Sequence, residues 1–240
     1  MLKMHICACA IEKAAWLWGP NDNRVSDSGH VKALKRPLDL TWDELWSFVR
    51  PATSCGCGTG GYSISRTFNG GLHNWLGHVR AALQRAQTLA HEGDAIAFVD
   101  RLSKQRLGQG MRPLGISAAS KLVFFGAPNL RVFIYDSVVR EAVGILPLGP
   151  GHYWTWHKLM KKIDGCATVD KKVFDQRCPQ EIPEDWFRRR CLDQALYLIG
   201  KRIKNAANRS KSTNCNSIPS IRTASPRRSP VLPRTSSLGR

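Results

Sequence analysis

Residues able to do chemistry are concentrated between Met111 and Gly144, in the stretch MRPLGISAASKLVFFGAPNLRVFIYDSVVREAVG. Gly115 permits a tight turn, and Ser117, Ala118 and Ala119 behind it are small residues that open a helix. Amide N–H groups in the first turn of a helix have no partner within it and attract anions. The run from Gly115 to Ala119 therefore predicts a seat for a phosphate, one that holds a nucleic-acid backbone without reading its sequence. Asp136 opens the next helix, and aspartate there is a preferred N-cap. Lys121 lies between the two, a phosphate contact or a solvated amine.

Helices must position these groups. The run DAIAFVDRLSKQRL, with Asp94 as N-cap, predicts an amphipathic helix leading into the turn. Upstream, NWLGHVRAALQRAQTLAHEG predicts another, with Trp75, Leu76, Val79, Leu83, Ala86 and Leu89 on its apolar face and Glu92-Gly93 as its stop. An earlier helix is capped by Thr41, with Glu44 three positions on. Downstream, GHYWTWHKLMKKI and EDWFRRRCLDQALYLIGKRIKNAANR predict two more. Strands do not alternate with these helices, so the fold class is mainly α.

The order of hairpin, helix, extended apolar segment and aspartate-led helix resembles the helix–hairpin–helix DNA glycosylase superfamily, which includes the 8-oxoguanine glycosylases. Leu114-Gly115-Ile116-Ser117 stands where that family has its hairpin, and Val132-Phe133-Ile134-Tyr135-Asp136 where it has its aspartate segment. Gly115 precedes Asp136 by 21 positions, in keeping with the family's spacing. The resemblance covers residues 94–145. It implies a base-excision N-glycosylase acting on an extruded base, with Asp136 stabilising an oxocarbenium-like transition state or activating a nucleophile. Gly115, Ser117, Ala118 and Ala119 would hold the DNA backbone.

Bifunctional members carry a lysine four positions after the first hairpin glycine, and here that position is Ala119. Lys121 is two residues further, a rotation of about 200° on a helix. The resemblance thus implies a monofunctional enzyme, with Lys121 as Schiff-base nucleophile only if the hairpin register differs. A non-catalytic helix–hairpin–helix DNA-binding module, with Asp136 as a cap, is the alternative. A third reading is an RNA-binding protein that works through its tail.

Other motifs carry less. Cys7-x-Cys9 and Cys55-x-Cys57 lack the usual zinc spacing. Cys166, Cys178, Cys191 and Cys215 are too far apart for the family's iron–sulfur cluster. No metal or other cofactor is expected. CGCGTGG lacks the Gly-Lys-Ser/Thr that a nucleoside triphosphate site needs. Tyr153 and Trp154 are candidates for stacking on a base. Lys158, Lys161 and Lys162, and the run Arg188-Arg189-Arg190, read as solvated faces or phosphate contacts.

The chain of 240 residues carries a net charge of +18 and 42% hydrophobic residues. That balance indicates a globular body with a polyanionic partner, DNA, and no apolar run long enough to span a membrane. From Lys201 to Arg240 there are ten Lys or Arg and no acid, so this end holds +10 of the +18 and leaves +8 for residues 1–200. The expected organisation is a poorly defined segment over 1–40, a helical domain over 41–205 with its hairpin near 111–121, and a disordered basic Ser/Pro/Arg-rich tail over 206–240. A reduced, cytoplasmic location is expected, nucleoid-associated or nuclear according to source.

Overall fold

The computed structural model describes residues 40–49, 72–106, 112–167, 178 and 182–215. The N-terminal segment, the glycine-rich stretch with Cys55 and Cys57, the hairpin tip at 107–111 and the tail beyond Cys215 lie outside the described residues. Among the described residues there are helices and no strands. The helices are α1 (Trp42–Val49), α2 (Leu72–Gln87), α3 (Glu92–Lys104), α4 (Gly115–Gly126), α5 (Ser137–Ala142), α6 (Tyr153–Cys166) and α7 (Glu184–Cys215). None is long and apolar enough to cross a membrane.

Local sequence explains most of the helix boundaries. Thr41 and Glu44 form a reciprocal box: Thr41 N–H donates to the Glu44 carboxylate at 2.8 Å, and Glu44 N–H to the Thr41 hydroxyl at 3.3 Å. The α2 helix ends at Gln87, where Thr88 turns back on the Arg85 carbonyl at 2.9 Å. Glu92 and Gly93 do not stop that helix; they form the first turn of α3, and His91 rather than Asp94 is its N-cap. The reason lies in charge. Glu92 and Asp94 both fall in the first turn, where carboxylates complement the positive end of the helix dipole.

Helix α4 is the centre of the core. Ile116, Ala118, Ala119, Leu122, Val123, Phe124 and Phe125 are all buried. Phe125 meets Phe48 edge-on at 5.2 Å, and Phe124 lies 4.9 Å from the Trp186 ring of α7. At the end of α4, a Cβ on Gly126 would come within 2.7 Å of the Ala86 methyl, so this glycine sets the approach of α4 to α2.

Between α4 and α5 runs an extended strap, residues 127–136. Val132, Phe133, Ile134 and Tyr135 are buried in it, yet it has no strand partner among the described residues. A buried backbone needs its hydrogen bonds, and side chains from three helices supply them. The Tyr153 hydroxyl accepts from Phe133 N at 2.9 Å and donates to Phe133 O at 2.6 Å. Trp156 Nε1 donates to Ile134 O at 3.1 Å, and Tyr135 N donates to Ser120 Oγ at 2.9 Å. Arg189 donates to Val132 O at 2.8 Å and to Pro128 O at 2.9 Å. Each bond fixes the register of one strap residue, and together they fix where Asp136 emerges.

Residues 1–204 form one compact unit, and residues 205–240 a second. Helix α7 continues to Cys215, beyond the boundary expected at 206, with residues 205–209 exposed.

Candidate functional site

The strap ends at Asp136, whose extended backbone makes it the N-cap of α5. Its Oδ1 accepts from Val138 N at 2.8 Å. Its other oxygen, Oδ2, is turned toward Lys121 and lies 3.7 Å from Nζ. One carboxylate therefore does two things: it closes its own helix and faces an amine on α4. The Asp136 side chain is 23% exposed and that of Lys121 only 11%.

Lys121 is thus neither solvated nor a bystander. The rotation expected between positions 119 and 121 does separate them, since Ala119 is buried in the core. The side of α4 that carries Lys121 is the side on which α5 sits. Burial pulls the Lys121 ammonium below its ordinary range, while Asp136 and then Asp193 act in the opposite sense and Arg190 adds to the lowering. Asp193, buried on α7, is paired with Arg190. Two cations and two carboxylates from α4, α5 and α7 thus form one cluster in which charge nearly balances.

Helix α7 is held against this site by a close approach. A Cβ on Gly200 would lie 2.1 Å from the Val138 carbonyl oxygen, so only glycine lets α7 pass over the start of α5. Asp193, Tyr197, Gly200 and Lys204 recur at three- and four-residue intervals and so share one face of α7. Lys204 approaches Glu141 of α5 at 3.9 Å.

The expected phosphate seat is placed as follows. Gly115 has φ +76, the left-handed region that favours glycine, and Leu114 caps α4 without a side-chain hydrogen bond. Gly115 and Ser117 are half-buried. Ala118 and Ala119 are buried in the core, so their side chains are not available to a ligand, contrary to the expectation for them. Their smallness serves the packing of α4 instead.

Tyr153 is not a stacking residue. It is fully buried, and its hydroxyl is committed to Phe133; burial drives its phenol pKa up. Trp154 next to it is 55% exposed and carries Lys158 Nζ 5.1 Å over its ring. The run 188–190 is structural rather than solvated. Arg189 is 3% exposed, and burial brings its guanidinium down to about 10. Arg188 bonds the Asp164 and Ala167 carbonyls at 2.8 and 3.0 Å. Lys158, Lys161 and Lys162 are exposed as expected, with Lys161 bonding Glu92 at 2.9 Å.

The sequence reading passed over Asp193, Arg190 and Gly200. The spacing of Arg190 and Asp193 on one helix face was their only sequence signal. Cys166, Cys178 and Cys191 are free thiols, and no group of three metal-ligating side chains occurs among the described residues. Comparison with protein-family models, with curated protein sequences and with solved structures finds no match.

Proposed function

We propose that this chain is a DNA-binding base-excision N-glycosylase in which Asp136 and Lys121 act as a pair. The observation that carries the reading is the 3.7 Å approach of Lys121 Nζ to Asp136 Oδ2, both partly shielded from water. An amine whose ammonium form is disfavoured by burial reaches its nucleophilic state more readily than a solvated lysine. Facing the anomeric carbon of an extruded nucleotide, it would form a C–N bond as the glycosidic bond breaks and the base leaves with its electron pair. The ring opens to an imine, and loss of the 2′ proton then expels the 3′ phosphate. Asp136 lies where it would stabilise the positive charge that develops on the sugar. This route gives a strand-nicking enzyme, in place of the monofunctional one implied by alanine at position 119.

The second reading, a non-catalytic DNA-binding module, is favoured by the Asp136–Val138 cap, which gives the aspartate a structural reason to be there. A base-release assay separates the two. Duplexes carrying 8-oxoguanine, uracil, alkylated purines, oxidised pyrimidines or mismatches are incubated with wild type, Asp136→Asn and Lys121→Met. Borohydride is added to trap an imine. Base release and a trapped adduct in wild type, both lost in Lys121→Met, support the paired enzyme. Release without trapping or nicking supports a water-using glycosylase. Binding without release from any duplex supports the module.

A further inference from the structure

Leu146 is 83% exposed, the most exposed large hydrophobic among the described residues. A leucine so placed gains nothing from folding, and its surroundings hold it there. It sits in the loop from Val143 to His152, which joins α5 to α6. The two flanking apolar residues, Ile145 and Leu148, pack against the core. Ile145 N donates to Arg140 O at 3.3 Å, and Arg140 Nη1 donates back to Ile145 O at 3.0 Å. Leu148 N donates to the Tyr135 hydroxyl at 2.9 Å. Pro147 restricts Leu146 to extended conformations. The tip is therefore two residues, Leu146 and Pro147, standing on a braced base.

That base is tied to the strap that presents Asp136, since Tyr135 is the residue before it. Only α5, six residues and about 9 Å long, separates Asp136 from the loop. On the far side, the loop meets the first arm of the hairpin. Gly151 N donates to Ser103 Oγ at 3.2 Å, and Gly151 has φ +88 with the Lys104 side chain lying where a Cβ would be. Lys104, Arg101, Arg106 and Arg112 are all exposed there. An apolar tip thus stands between a basic hairpin arm and the Lys121–Asp136 pair.

We infer that Leu146 is an intercalating finger: it enters the base stack of duplex DNA beside the extruded nucleotide and fills the gap that the nucleotide leaves. The inference rests on the glycosylase reading for its ligand. An apolar wedge offsets part of the cost of unstacking, and the basic side chains beside it take the phosphates on either side of the gap.

The probe is a duplex carrying a tetrahydrofuran abasic analogue with 2-aminopurine as the next base, compared with the intact duplex of the same sequence. Wild type should prefer the analogue duplex and raise 2-aminopurine fluorescence. Leu146→Ala should lose about tenfold of that preference and most of the fluorescence rise, with binding to the intact duplex unchanged. Leu146→Phe should keep both. Since Leu146 makes no core contact, neither variant threatens the fold.

Wild-type preference and fluorescence that survive in Leu146→Ala overturn the finger. Wild type with no preference for the analogue overturns it too. The base-release assay then tells the two failures apart. If wild type still releases a base, only the finger has failed; if it releases none, the glycosylase reading has failed with it. Loss of preference in Leu146→Ala, in a wild type that releases no base, upholds the finger on a protein that binds abasic sites without cutting them.

Discussion

Replacing Tyr153 with phenylalanine removes one oxygen and leaves two backbone groups without their partner. The Tyr153 ring is fully buried, and its hydroxyl both accepts from Phe133 N and donates to Phe133 O. Phenylalanine fits the same space, so there is no cavity beyond the hydroxyl itself. The cost is the desolvated N–H of Phe133, about 1–3 kcal/mol, and a lesser amount for its carbonyl, which has a second lone pair. Together these come to about 2–4 kcal/mol, a fall in melting temperature of roughly 5–15 °C for a domain of this size. The assay is urea unfolding followed by tryptophan fluorescence, with the midpoint expected to fall and the slope to stay constant. A control, Tyr135→Phe, removes only the acceptor for Leu148 N and should cost about 1 kcal/mol. A loss below about 1 kcal/mol for Tyr153→Phe, or one no larger than the control, would refute the view that side chains stand in for a sheet along the strap.

Three further outcomes follow from the geometry. Gly200→Ala places a methyl 2.1 Å from a backbone oxygen that cannot swing aside, so α7 must lift off α5. Unfolding should show a loss of about 1–3 kcal/mol; an unchanged midpoint would mean that the two helices have slack. Lys121→Met removes a shielded cation in favour of an apolar chain of similar length, so thermal stability should hold or rise while base release disappears. A large loss of stability would make Lys121 a structural residue instead. His157 is buried, which lowers its imidazole below 6.5 even though its Nε2 contacts the Arg131 carbonyl at 2.7 Å. The unfolded chain then takes up the proton first, so stability is full above about pH 6.5 and falls below it until the buried ring also charges. In His157→Phe the unfolding midpoint should be lower at pH 7 but flatter between about pH 6.5 and 5, and an equal slope would assign the acid loss to other groups.

Which parts of this molecule could be read from its residues follows from the range of the interactions involved. The Thr41–Glu44 box spans three residues and is visible as a pattern, and the apolar spacing of α2 likewise predicts Leu76, Val79, Leu83 and Ala86 in the core. The α2–α3 boundary was misplaced because Glu92-Gly93 suits a helix end as well as a start, and only the dipole and the contact with Lys161 decide between them. Asp136 was legible as a cap because capping is local. Lys121 was not legible as its partner. Helical rotation tells that Lys121 and Ala119 face apart, but not which of the two directions α5 occupies. The same holds for Tyr153 and Arg189. An aromatic or a guanidinium in an amphipathic helix looks alike whether it meets water or a strap brought from 20 or 57 residues away. The strap itself was visible as an extended apolar run, whereas its partners arise only in the packed fold.

The central claim is that Lys121 and Asp136 form a working pair, and borohydride trapping on lesion-bearing duplexes tests it most directly. The full chain is incubated with each duplex and borohydride, and the products are resolved by denaturing electrophoresis and intact mass. The pairing predicts a covalent protein–DNA adduct on at least one duplex, mapped to Lys121, absent in Lys121→Met and strongly reduced in Asp136→Asn. Base release at full rate from Lys121→Met, or an adduct mapped to another amine, would contradict it.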